Sequence, residues 1–267
     1  MRNTFVTKLS ARQQMLADLL VEARREARQL DGLADHLVPQ TAAQAYVINR
    51  AVAERLGWEP LGWKIAGTTA NVRGKLGLDG PIYGRSFRRF KCASPARFKH
   101  AELLDPLVEC EFFVTLAHDL PPREAPWTMP EVIDAIAEVH AGIEVAECRY
   151  VRGALPPLPA ILADGSASGR YVFGSRIDNW RNGLADMPVR LEVDDALRRE
   201  GSGADVMGDP LRPLQWLADE RGRYGDGLRA GETISTGSMT GMLPIRAGQR
   251  VCARFGDLAT VEIAFEA

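Results

Sequence analysis

The sequence predicts an α+β protein, and three observations carry that expectation. The first 57 residues repeat apolar side chains at helical spacing. Beyond Gly57, glycine and proline become frequent and the apolar runs shorten to strand length. Those strands do not alternate regularly with helices, which argues against a Rossmann arrangement. In the helical part, Ser10 with Gln13 and Thr41 with Gln44 both match a capping box. Leu9, Leu16, Leu19, Leu20 and Ala23 form the apolar stripe of a first helix, and Thr41 to Leu56 makes a second that Gly57 stops. The run Glu22-Ala-Arg-Arg-Glu-Ala-Arg reads as a solvated helix face, because acidic residues interrupt the basic ones.

Further along, Leu107 to Leu116 and Gly142 to Arg149 are expected strands. Between them Thr128-Met-Pro-Glu131 opens a helix expected to run to about His140. Tyr171 to Gly174, Val189 to Val193, Glu232 to Thr236, Arg250 to Phe255 and Thr260 to Phe265 read as further strands. Asp209-Pro210 starts one more helix, with Leu211, Leu214 and Leu217 inward and Trp216 beside them. The division expected is a helical region over 1–60 and a strand-rich region over 61–267.

Composition narrows the function. The chain has 267 residues, 46% of them hydrophobic, and a net charge of −2. Nothing in that balance favours nucleic acid or an acidic membrane as partner. No run approaches the roughly 18 apolar residues of a membrane span, and Met1-Arg-Asn-Thr-Phe lacks the apolar stretch of a secretory leader, so the expected location is the cytoplasm. Cys92, Cys110, Cys148 and Cys252 form no Cys-x-x-Cys pair, and Cys110 and Cys148 read as small buried thiols. His36, His100, His118 and His140 are scattered and read as structural. Gly201-Ser-Gly203 is a turn, and neither a P-loop nor a Gly-x-Ser-x-Gly elbow occurs.

The informative segment is Asp105-Pro-Leu-Val-Glu-Cys-Glu-Phe-Phe-Val-Thr-Leu. Side chains alternate faces along a strand, so Glu109 and Glu111 share one face while Cys110 and Phe112 take the other. Two neighbouring carboxylates repel unless a positive charge lies between them. Glu144, between Ile143 and Val145, needs a partner if buried. Three carboxylates form a hard, all-oxygen donor set that suits magnesium or manganese rather than zinc. A solvated edge strand is the plain alternative for Glu109 and Glu111, and Glu147 competes with Glu144 as the third ligand. Lys64, in the apolar and glycine-rich Leu61-Gly-Trp-Lys-Ile-Ala-Gly, is either a snorkelling lysine or a desolvated one with a lowered pKa. The turn Thr236-Gly-Ser-Met-Thr-Gly could offer backbone N–H groups to a carboxylate, or simply turn the chain.

Taken in order, these segments resemble the hydratase/decarboxylase branch of the fumarylacetoacetase superfamily over residues 10 to 265. Gly62-Trp-Lys-Ile is similar to the family's Gly-x-Lys-x-Gly, and Leu76-Gly-Leu-Asp-Gly-Pro-Ile-Tyr-Gly to its next loop. Glu109-Cys-Glu111 matches its Glu-x-Glu, and Ile143-Glu-Val-Ala-Glu-Cys-Arg149 its Leu-Glu-x-x-x-Ser-Arg. Ala163-Asp-Gly-Ser-Ala-Ser is like Ala-Asp-Asn-Ala-Ser, and Ser235-Thr-Gly-Ser-Met-Thr with Ile245-Arg-Ala-Gly is like the family's ending. The resemblance implies a rolled, mixed β-sheet core beside the N-terminal helical part. It implies Glu109, Glu111 and Glu144 as ligands of Mg2+ or Mn2+, Lys64 as the group that positions or protonates substrate, and Asp164, Thr236, Gly237 and Ser238 as substrate contacts. The implied substrate is a small 2-oxo or 2-hydroxydienoate acid of meta-cleavage-type aromatic catabolism. The implied assembly is a homo-oligomer that can associate with a sister pathway enzyme.

Two departures bear on the chemistry. Hydratases of the family commonly carry an aspartate where this chain has Ile82, and another where it has Ala160; Gly165 also replaces the family's amide. Hydration needs groups that deliver water and a proton. The Ile-Tyr-Gly form and Arg170-Tyr-Val-Phe-Gly174 look closer to decarboxylase members. The expectation is therefore a metal-dependent lyase leaning slightly to 4-oxalocrotonate-type decarboxylation. A 2-keto-4-pentenoate-type hydratase is the first alternative and a catalytically degenerate binding partner the second; an acylpyruvate hydrolase lacks a His-Glu pair near the N-terminus.

Overall fold

The computed structural model describes residues 8–267. Residues 1–7, which entered the expectation of no secretory leader, lie outside the described residues. Helix α1 (Ala11–Arg25) begins with the expected capping box, Ser10 and Gln13 each satisfying the other's backbone N–H. Helix α2 (Ala42–Leu56) is capped by Thr41 and ends at Gly57 in the left-handed conformation. Their apolar faces meet in one cluster through Leu16, Leu20, Ile48 and Val52, which also takes in Ile82, Tyr150, Ala160 and Leu162. No helix among the described residues is long and apolar enough to cross a membrane.

Strand β1 (Pro60–Ala66), helix α3 (Ala70–Leu76), and strands β2 (Ile82–Phe87), β3 (Lys91–Ala93) and β4 (Ala96–Lys99) follow. Then come β5 (Leu107–Leu116), helix α4 (Met129–Asp134), β6 (Ile136–Ala146), helix α5 (Leu158–Ala163) and β7 (Arg170–Arg176). The C-terminal part holds β8 (Pro188–Val193), β9 (Ala196–Ser202), helix α6 (Leu211–Tyr224), β10 (Thr233–Ser235), β11 (Leu243–Pro244), β12 (Arg250–Phe255) and β13 (Ala259–Glu266). Just ahead of α6, whose N-cap is Pro210, the Asp209 carboxylate accepts the N–H of Leu211.

The expected boundaries between Thr128 and Arg149 are wrong. The helix opened at Thr128 ends at Asp134 instead of reaching His140, and β6 starts at Ile136 and ends at Ala146 instead of spanning Gly142 to Arg149. Ala135 closes the helix by donating its N–H back to Glu131 and Val132. From there Val139, Ala141, Ile143 and Val145 are buried in the core at every second position, which a strand satisfies and a helix does not.

Two mixed sheets result, as the expected fold requires. The larger curls in the order β2-β1-β10-β5-β6-β7-β3, with β11 pairing the start of β5; the smaller runs β4-β13-β12-β8-β9. β1–β10, β3–β7 and β4–β13 are parallel and the remaining pairs antiparallel. The main core lies between the sheets, where Cys110, Phe112 and Val114 of β5 meet Phe255, Val261 and Ile263, with the Phe112 and Phe255 rings 5.6 Å apart. Alternation then puts Glu109 and Glu111 on the other face of the large sheet.

Candidate metal centre

Five adjacent strands supply one constellation on that face. Glu109 sits directly across from Glu144, Glu144 across from Tyr171, and Lys64 across from Ser235. Carboxylate oxygens of Glu109, Glu111 and Glu144 lie within 4.8 Å of one another, and all three residues are buried, Glu144 at 0% exposure. Lys64 Nζ stands 3.4 Å from Glu144 Oε1 and is equally enclosed. Glu147 points elsewhere, accepting the Leu104 N–H at 3.0 Å and pairing with Arg170 at 3.2 Å. It is not part of the cluster.

The charges respond to this crowding. Burial, then the negative charges of Glu144 and Glu109, push Glu111 well above the usual carboxylate range. Burial raises Glu144 to about 7 against the opposing pull of Lys64. Glu109 is raised by burial, with Lys64 and Ser238 working against the rise. Lys64 corrects the sequence expectation: burial pulls its pKa down, but Glu144, Glu109 and Glu111 together more than reverse this, and the net shift is upward. The ammonium is held charged rather than tuned towards neutrality.

Hydroxyls and one backbone amide fix the carboxylates. Ser235 Oγ donates to Glu111 Oε2 and lies 3.4 Å from Glu144 Oε2. The Gly237 N–H donates to the same Glu111 oxygen at 3.0 Å. Gly237 has φ +103°, and a Cβ there would come 2.5 Å from Thr68 Oγ1, so only glycine fits this turn. Thr236 spends its hydroxyl proton on the Phe112 carbonyl at 3.1 Å. Ser238 Oγ is buried beside Glu109, without a hydrogen bond of normal geometry among the described residues but close enough to help hold that carboxylate's charge. On the same face Leu61, Phe113, Tyr171 and Phe173 make a small apolar wall.

Asp164 is not brought into this group. Its carboxylate is taken by Arg24 at 3.2 Å, by Arg149 Nε at 2.9 and 3.0 Å, and by the Arg149 backbone N–H at 3.1 Å. Ile82 and Ala160 are buried in the apolar cluster under α1 and α2, so no acid stands at either place. Two residues of the site carry no role assigned from the sequence: Ser235 and Tyr171. Ser235 sits inside an expected strand, where alternation could have flagged it. Tyr171 could not be flagged, because Tyr171-Val-Phe is apolar on both faces of β7.

Comparison with known proteins agrees with this architecture. The family model described as "Fumarylacetoacetate (FAA) hydrolase C-terminal" matches residues 80–266. A 2-keto-4-pentenoate hydratase of Burkholderia vietnamiensis (strain G4 / LMG 22486) is 31% identical over 254 residues, covering 94% of this chain and 96% of that protein. A 4-oxalocrotonate decarboxylase of Pseudomonas putida is 27% identical over 259 residues, covering 94% and 95%. The solved structure of 4-oxalocrotonate decarboxylase from Pseudomonas putida G7, complexed with magnesium and adipate, superposes with a TM-score of 0.88 at 25% identity over 97% of this chain and 99% of that one. On the strength of the matched residues and the shared fold, the chain belongs to the fumarylacetoacetate hydrolase family.

Proposed function

We propose that this chain is a divalent-metal-dependent lyase acting on a small 2-oxo or 2-hydroxydienoate acid, with Glu109, Glu111 and Glu144 holding the cation. One observation carries the reading: three buried carboxylates within 4.8 Å face a single ammonium, Lys64. Buried charge of one sign without a counter-charge is costly, and an all-oxygen donor set fits Mg2+ or Mn2+. The buried hydroxyl of Ser238, with no hydrogen bond of normal geometry among the described residues, lies at the same place beside Glu109. When bound, the cation supplies a Lewis acid that stabilises enolate charge next to the 2-oxo group.

The protein's own groups do the rest. Ser235 and the Gly237 N–H hold the Glu111 carboxylate in place. Lys64, kept protonated by its acidic neighbours, donates a hydrogen bond or a proton to substrate. Ser238 contacts the substrate carboxylate, placed there by the turn at Thr236–Gly237, whose own donors are taken by Phe112 and Glu111. Phe113 and Phe173, with ring centroids 4.7 Å apart, keep water from the apolar side. Asp164 enters the proposed site only at a distance, through the residues it anchors. Within a division into 1–60 and 61–267, the described residues before 61 supply the helical region and those after it the catalytic one. We place the protein in the cytoplasm as a homo-oligomer that can associate with a sister pathway enzyme.

Between the two lyase chemistries, decarboxylation is favoured by the apolar setting of Ile82 and Ala160, which supplies no acid for water addition. The 31% identical hydratase supports the second reading. Titration calorimetry with Mg2+, followed by assay on 2-hydroxymuconate-type and 2-hydroxypentadienoate substrates, separates them. Carbon dioxide release without water incorporation is the expected result; a 4-hydroxy product selects hydration. Glu109→Ala should abolish metal binding, and unchanged affinity in that variant would remove the proposed site.

A further inference from the structure

Behind Glu144 runs a continuous line of buried polar contacts that the proposed chemistry does not use. Tyr171 Oη lies 3.4 Å from Glu144 Oε1 and 2.8 Å from Ser168 Oγ. The Ser168 carbonyl accepts Arg149 at 2.9 Å, and Arg149 is clamped by the Asp164 carboxylate, which Arg24 of α1 also grips. Every residue in the line is at most 7% exposed. The two hydroxyls have one proton each, and one orientation satisfies both: Ser168 donates to Tyr171, and Tyr171 donates to Glu144. Chains of hydrogen bonds polarised in one direction strengthen one another in a low-dielectric interior.

The backbone adds a separate observation. Gly165, Ser166 and Ala167 are consecutive left-handed residues, with φ of +89°, +55° and +59°. Serine and alanine adopt that conformation only when the surroundings over-determine it. Here they do: Ser166 Oγ donates to the Tyr83 carbonyl at 2.8 Å, and the Ala167 carbonyl accepts the Glu147 N–H at 3.0 Å. The strained segment delivers Ser168 to the Tyr171 hydroxyl. Ordinary packing of α5 against β7 would not need two non-glycine residues held in that region.

We infer that Ser168 and Tyr171, fixed by the Arg24–Asp164–Arg149 ion cluster and the left-handed segment between them, are positioning residues that orient the Glu144 carboxylate as a metal ligand. The inference rests on the metal reading above and assigns Asp164 a part at the far end of the line rather than against the substrate. Groups of this kind orient first ligands, and their loss costs about ten- to a hundredfold in metal affinity.

The test is Mn2+ binding to the full chain, read by calorimetry and by the electron paramagnetic resonance spectrum of the bound ion. Tyr171→Phe keeps the ring that packs on Phe113, 5.8 Å away, and removes only the hydroxyl. It should weaken Mn2+ about tenfold or more and alter the spectrum, while the lost buried hydrogen bonds lower the melting temperature of the metal-free protein only modestly. Ser168→Ala should shift both readouts the same way, and serves alone if Tyr171→Phe does not fold. Tyr150→Phe is the control, since Tyr150 Oη is buried without a hydrogen-bond partner among the described residues; its Mn2+ affinity should match wild type. In a Glu144→Gln background, Tyr171→Phe should cost nothing further. If wild type binds Mn2+ and both Tyr171→Phe and Ser168→Ala bind it equally well, the positioning inference is overturned and the metal site stands. If wild type binds no Mn2+, or Glu144→Gln binds as wild type does, the metal reading fails and this inference falls with it.

Discussion

Lys64 shows how one side chain takes its character from its neighbours. Burial alone lowers its pKa; beside Glu144, Glu109 and Glu111 the net shift is upward. Lys64→Met should therefore lower kcat by about 10²–10⁴, the usual contribution of a positioned proton donor, while calorimetry still finds Mg2+ bound, because the carboxylates remain. Loss of Mg2+ binding together with activity would assign Lys64 to the metal site's construction instead. Glu109 and Glu111 were legible from the chain because a strand with apolar residues on both sides of each acid shows its alternation plainly. The direction of the Lys64 shift was not, since it depends on Glu144, eighty positions away. Asp164 illustrates the same limit: a motif match marked the residue, but only the fold reveals that Arg24 and Arg149 occupy its oxygens.

At the level of elements, the close approach of β5 and β6 depends on Gly142. It pairs with Glu111, and a Cβ there would fall 2.2 Å from the Phe113 ring. Gly142→Ala must displace Phe113 from its contact with Phe173, and forced repacking of this kind costs about 1–3 kcal/mol. For a chain of this size that is a fall in melting temperature of about 3–10 °C, measurable by calorimetry; an unchanged melting temperature would mean the ring moves freely. β5 and β12 matched their expected limits because each has a clear apolar register. β1 went unrecognised as a strand because Leu61 to Ile65 is buried without interruption, so its period-2 signal is erased. The start of β6 was misread because Pro130 and Glu131 give a strong helix opening, and nothing local announces that Ala135 ends it.

For the whole molecule, the triad makes stability depend on pH in an unusual sense. Burial lifts Glu109, Glu111 and Glu144 above the ordinary glutamate value of 4.5, Glu144 to about 7. The folded state therefore keeps protons that the unfolded chain releases. Stability from this source is complete below about 4.5 and is lost as pH rises through about 7. Without metal, the melting temperature should fall across that window. At pH 8 with Mg2+ at a hundred times its Kd, mass action should restore about 2.7 kcal/mol, or about 5–10 °C. A metal-free profile that is flat from pH 4.5 to 7 would contradict the buried triad. The α+β class and the two N-terminal helices were legible from local pattern. The sheet order was not, because β10 enters between β1 and β5 from far down the chain.

That insertion also governs when the protein can become competent. A ribosome has delivered β1, β5, β6 and β7 long before it delivers residues 233–235, and until then the large sheet lacks the strand that joins β1 to β5. Pairings of such long sequence separation form late. A growing chain thus carries Glu109, Glu111 and Glu144 with neither Ser235 nor the Gly237 amide to aim them. On the metal reading proposed above, the three ligands are therefore made well before the groups that aim them, and the geometry of the site is complete only once residues 235–237 have joined the sheet.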